Sequence, residues 1–139
     1  MDLTVTQSVP FFAVSDIEAS VRFYVDGLGF EMTRSWEPEG KLTWCWLQYG
    51  GAALMLQQFR TEGHDSWTPE GKLGVGVSVC FICEDALKIY HEITARGIEC
   101  RTPFVGNAMW VVPLKDPDGY QLYFESETDV PEETVYAEP

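Results

Sequence analysis

Histidine is scarce in this chain, and so is positive charge. Two histidines, nine Lys and Arg, and 22 Asp and Glu in 139 residues give a net charge of -13. Such a balance repels nucleic acid and anionic lipid, so neither is an expected partner. No apolar run approaches the roughly 18 residues that cross a bilayer, and no charged-then-apolar leader opens the sequence, so the expectation is a soluble, cytoplasmic protein without a membrane partner. Only four cysteines occur, Cys45, Cys80, Cys83 and Cys100, and no second Cys-x-x-Cys supports a zinc site. In "CFIC" the thiols sit three apart on an expected strand and point to opposite faces, which suits buried free thiols. There is no Gly-rich phosphate loop and no Ser or Cys in a nucleophile elbow, which leaves nucleophilic catalysis with little support.

What the chain has in quantity is apolar and aromatic surface, 45% and 14% of its residues. That is enough for one sizeable core at this length. Part of the acidic excess lies in 127–139, "ETDVPEETVYAEP", which reads as a solvated acidic tail.

The main organising signal is an internal repeat. "FFAVSDIEASVRFYVDGLGFE" opens as a strand at Val9, turns polar at Ser15-Asp16, carries Ile17, Val21 and Tyr24 at helical spacing, and reaches Gly27 and Gly29 before a strand over about 30–36. "VCFICEDALKIYHEITARGIE" repeats this grammar, with a strand over 75–83, Glu84-Asp85, a helix through Leu87, Tyr90 and Ile93, and Gly97. An offset of 69 lays Phe12 on Phe81 and Asp16 on Asp85; an offset of 68 lays Gly51 on Gly119 and Leu54 on Leu122. The reading is an α+β fold of two βαβββ modules forming a curved mixed sheet. One domain spans 1–126, with module one over about 5–59, a connection over about 60–73 and module two over about 74–126.

The segments "VSDIEASVRFYVDGLGFE", "YGGAALMLQ" and "KDPDGYQLYFE" resemble the vicinal oxygen chelate superfamily, which includes glyoxalase I, extradiol dioxygenases and bleomycin-resistance proteins; the resemblance spans about 8–126. In its metal-using members each module supplies two His or Glu ligands. The resemblance places those four positions on Val9, Met55, Ser78 and Tyr123, none a usual divalent-metal ligand. No metal and no cofactor are therefore expected. A two-residue slip would instead present Phe11, Gln57, Cys80 and Glu125, of which Cys80 and Glu125 could bind metal.

Strand alternation defines a ligand pocket without metal. Residues two apart share a face, which groups Phe11 with Met55 and Gln57, and Ser78 with Gln121, Tyr123 and Glu125. Trp110 joins this set from the aromatic complement, and Trp44 and Trp46 share one strand face. Glu125 favours a cationic ligand, while the Trp rings offer stacking surface. The resemblance implies a homodimeric binder of the bleomycin-resistance kind that sequesters a cationic or aromatic small molecule, such as an antibiotic, without catalysis. The alternative is a metal-dependent lyase, isomerase or dioxygenase of the same superfamily. His64 and His91 are expected on the surface, away from the pocket.

Overall fold

The computed structural model describes residues 3–64 and 66–139; Met1, Asp2 and Asp65, which the domain and connection ranges above include, lie outside the described residues. The first half runs β1 (Phe11–Val14), α1 (Ile17–Val21) with a wider continuation over Arg22–Gly27, β2 (Glu31–Trp36), β3 (Trp44–Tyr49) and β4 (Ala52–Gln58). The second runs β5 (Ser78–Ile82), α2 (Ala86–Ala95), β6 (Phe104–Gly106), β7 (Met109–Lys115) and β8 (Gln121–Glu127). The result is two four-stranded sheets of matching order, β1-β4-β3-β2 and β5-β8-β7-β6. In each sheet the first strand pairs parallel with the last, and the remaining pairs are antiparallel.

The repeat is exact enough to be read in hydrogen bonds. Asp16 caps α1 by accepting from the Ala19 N–H at 3.2 Å, and Asp85 caps α2 by accepting from the Lys88 N–H at 3.1 Å. A further N–H at each helix start is taken by the end of the last strand. Ile17 N–H donates to Gln58 Oε1 at 2.9 Å, and Ala86 N–H donates to Ser126 Oγ at 2.8 Å. These bonds satisfy helix-start donors that have no partner inside the helix. The strand register repeats too, with Phe11 opposite Met55 in one sheet and Cys80 opposite Tyr123 in the other.

Alternation along the strands builds the core. Phe12, Val14, Cys45, Leu47, Leu54 and Leu56 turn to the helix side of the first sheet, and Phe81, Val112, Leu114, Leu122 and Phe124 do so in the second; all are buried in one shared cluster. Each large side chain so buried contributes about 1.5–3 kcal/mol. Because the cluster draws on both halves, the modules pack against each other within one chain. Gly27 is part of that packing, since a Cβ there would stand 2.6 Å from Ile98 Cδ1.

Two sequence expectations change. The strand expected over 75–83 begins at Ser78, because Gly74 and Gly76 take φ of 72° and 80° and break the extended run ahead of it. The acidic tail is docked rather than solvated. Val105 N–H donates to Thr134 O and Tyr136 N–H to Pro103 O, both at 2.9 Å, and Tyr136 rests edge-on against Tyr90, His91 and Trp110. Glu132 accepts from the Asn107 and Ala108 N–H groups, holding a β6–β7 turn in which both residues have positive φ, 53° and 62°. No helix among the described residues is long and apolar enough to cross a membrane.

Candidate functional site

The face of each sheet opposite the helices is open. On the first sheet, register aligns Arg34, Trp46, Met55 and Phe11 in one row across the four strands, and Trp36, Trp44, Gln57 and Ala13 in the next. This row structure follows from period-two strands that have already committed their other face to the core. Phe11 remains 45% exposed and Trp36 36% exposed, so the face presents aromatic surface to solvent. Phe11, Trp36, Trp44, Gln57 and His64 line a recess of about 350 Å³.

Cations already lie on these rings. The Arg34 guanidinium sits 4.3 Å from the Trp46 ring centre, and that of Arg60 sits 5.1 Å from Trp36. The His64 ring lies 5.1 Å from Trp36 on the same shelf. One face of Trp46 and one of Trp36 are thus taken by cations of this chain, which shows that these indoles can hold a positive group.

On the second sheet Ser78, Gln121 and Lys115 form one row, Cys80, Tyr123 and Pro113 the next, and Ile82, Glu125 and Val111 the third. Seven of the eight expected pocket residues therefore lie on the helix-free faces: Phe11, Met55 and Gln57 on the first sheet, Ser78, Gln121, Tyr123 and Glu125 on the second. Trp110 does not. It pairs with Ser126 and Val105, one step out of phase with Glu125, and its ring faces the helix side against Tyr136. The tight turn at Asn107-Ala108 and the five-residue turn after Lys115 fix the phase of β7, and that phase turns Trp110 away. His64 was not expected at the shelf; the connection folds back over the first sheet and brings it there.

The positions where the superfamily's metal ligands would fall carry thioether, aliphatic, hydroxyl and phenol groups. Among the described residues no three His, Cys, Asp or Glu side chains come together as a metal site. The slipped pair does meet: the Cys80 thiol is pushed up to about 11 by partial burial and by the Glu125 carboxylate that it contacts. Two donors fall short of the three or four protein ligands that a resident divalent cation takes, so the pair does not make a metal site. Burial also holds Cys45 at about 12 and Cys100 at about 11, so neither is a ready nucleophile.

Comparison with known proteins agrees with this architecture. Residues 6–124 match the sequence profile of the Glyoxalase/Bleomycin resistance protein/Dioxygenase superfamily. The chain belongs to that superfamily. A lactoylglutathione lyase of Haemophilus influenzae is 29% identical over 117 residues, covering 80% of this chain and 84% of the lyase. Among solved structures, the bleomycin-binding protein of Streptomyces verticillus, complexed with copper(II)-bleomycin, superposes with a TM-score of 0.67 at 19% identity, covering 91% of this chain and 100% of the other. TnmS3, an antibiotic binding protein of Streptomyces sp. CB03234, superposes with a TM-score of 0.66 at 20% identity over the same 91% and 100%. The superfamily holds both enzymes and binders, so the side chains of this member must separate them.

Proposed function

We propose that this superfamily member is a metal-independent binding protein that holds a small planar aromatic molecule, carrying positive charge, on the helix-free faces of its sheets. The observation that carries the reading is the residue set Val9, Met55, Ser78 and Tyr123 at the four positions where a metal-using member would place ligands. The Trp36, Trp44 and Trp46 shelf supports the aromatic part of the ligand, and the net charge of -13 supports a cationic one. Glu125 supplies a carboxylate on the second face. Two copies of the chain bring these faces together: Phe11 at 45% and Ile82 at 67% exposure leave apolar surface that a homodimer would cover.

Titration with planar organic cations tests this reading through tryptophan fluorescence. Saturable quenching is expected, and Trp44→Ala or Glu125→Gln should each weaken binding about tenfold, the loss of one ring or charge contact of roughly 1.4 kcal/mol. Unchanged affinity in both variants contradicts the assignment.

A second reading rests on the lactoylglutathione lyase relative: a metal-dependent lyase whose metal sits at shifted positions. It requires stoichiometric metal that Cys80→Ala combined with Glu125→Ala releases.

A further inference from the structure

The two halves meet at two junctions related by the repeat. At the first, the turn between β7 and β8 closes on the end of β1. Ser15 donates from Oγ to Asp118 Oδ1 at 2.6 Å, and Tyr120 donates from its hydroxyl to the Ala13 carbonyl at 2.8 Å. The Tyr120 ring lies on Phe12 with centres 4.1 Å apart and planes 4° from parallel. Beneath them the buried Tyr24 hydroxyl donates to Asp116 Oδ2 at 2.8 Å.

At the second junction the partners are the turn between β3 and β4, and the end of β5. Register counted from the paired leucines, Leu47 with Leu54 and Leu114 with Leu122, sets Ala52 where the other half has Tyr120 and Tyr49 where it has Asp116. Gly50-Gly51 replaces the longer Pro117-Asp118-Gly119 tip. Among the described residues no hydrogen bond joins this turn to 80–85. A recess of about 870 Å³ stands there instead, between the turn, β5 and α2.

Its inner wall is apolar, formed by Phe30, Tyr49, Ile89 and Phe124. Its mouth carries Glu84, Asp85 and Glu92 against Lys88, with Arg96 Nη2 behind it at 3.9 Å from Glu92 Oε2. Asp85 caps α2, so the helix start is already occupied by a carboxylate of this chain and offers little to an incoming anion. Glu84 stands where Ser15 meets Asp118 in the filled half. The group favoured at that point here is a donor of positive charge rather than a carboxylate. The volume lies within the range of about 300–1,000 Å³ seen for small-molecule sites.

We propose that this open junction is a second binding site, on the helix side of the sheets, for a planar aromatic molecule bearing a cationic group. The ring takes the place that Tyr120 fills in the other half, and the cation faces Glu84 and Glu92. The site meets the helix-free face of the second sheet only along β5, at Cys80 and Ile82, and shares no residue with the tryptophan shelf of the first.

An amide NMR titration of the full chain with proflavine, a planar aromatic cation, tests it. Saturable shifts are expected at residues 49–52 and 82–89. Ala52→Tyr, which copies Tyr120 into the open half, should abolish them. Ile89→Trp fills the same space from α2 and should do so independently, so the test survives if one variant fails to fold. Glu84→Gln, at the exposed mouth, should weaken the shifts about threefold. Absence of shifts at 49–52 and 82–89 in the parent protein overturns the proposal, as does their persistence in either filled variant that folds. Shifts confined to 44–46 and 55–57 leave the proposed function standing and remove this second site.

Discussion

One junction between the modules is locked and its repeat-related counterpart is open. Both halves use the same backbone solutions at their helix starts, with Asp16 and Asp85 as caps and Gln58 and Ser126 beside them. They diverge at the hairpin tips, where "KDPDGY" reaches across and "QYGGA" stops short. A duplicated module thus keeps the bonds that make each half fold and varies the tips that face the other half. Hydrogen bonds and ring stacking gather at the first junction, and open volume at the second.

Asp116→Ala should break this asymmetry hardest. Asp116 accepts from the Tyr24 hydroxyl and from the N–H groups of Asp118 and Tyr120, all near 2.9 Å. Its removal strands a fully buried phenol, and a loss of about 3 kcal/mol or more in urea unfolding is expected. Tyr120→Ala makes the locked junction resemble the open one and should cost about 2 kcal/mol, whereas Tyr120→Phe, which keeps the ring and loses only the bond to Ala13 O, should cost about 1 kcal/mol.

Acid titration sharpens the same point. Burial raises the Asp116 carboxyl above its ordinary value, although the Tyr24 hydroxyl and the Tyr120 and Asp118 N–H groups offset part of the rise. The folded state therefore favours the protonated form, a contribution fully present below the ordinary carboxylate value and lost as pH rises through the raised one. The stability gap between the parent protein and Asp116→Asn should narrow from about pH 3 to neutrality in paired urea melts. A widening gap would show that the hydrogen bonds outweigh burial. The smallest effect is expected at the thiols. Cys80 is exposed, yet its thiol at about 11 should react slowly with a disulfide reagent at pH 8, and faster in Glu125→Gln.

Much of this was legible in the sequence. The 69- and 68-residue offsets matched Asp16 with Asp85 and gave the order of elements along each half, and strand alternation gave the common faces of Met55 with Gln57 and of Tyr123 with Glu125, because burial of one strand face fixes the other. Trp110 was misplaced, although pairing outward from the "DPDGY" turn sets it opposite Ser126 and away from Glu125. The docked tail had a weaker signal, the apolar Val135 and Tyr136 amid acids. His64 had none, since its approach to Trp36 depends on how the connection folds back. The open junction could not be read from either half alone. It emerges only when Ala52 is compared with Tyr120 in space.

The central claim is that this chain binds its ligand without a metal. Elemental mass spectrometry of protein purified without chelators or an affinity tag, normalised to protein, tests it most directly. The account predicts divalent metal far below stoichiometry, with ligand binding unaffected by added chelator. Near one equivalent of zinc, nickel, manganese or iron would contradict it and place the lyase reading first.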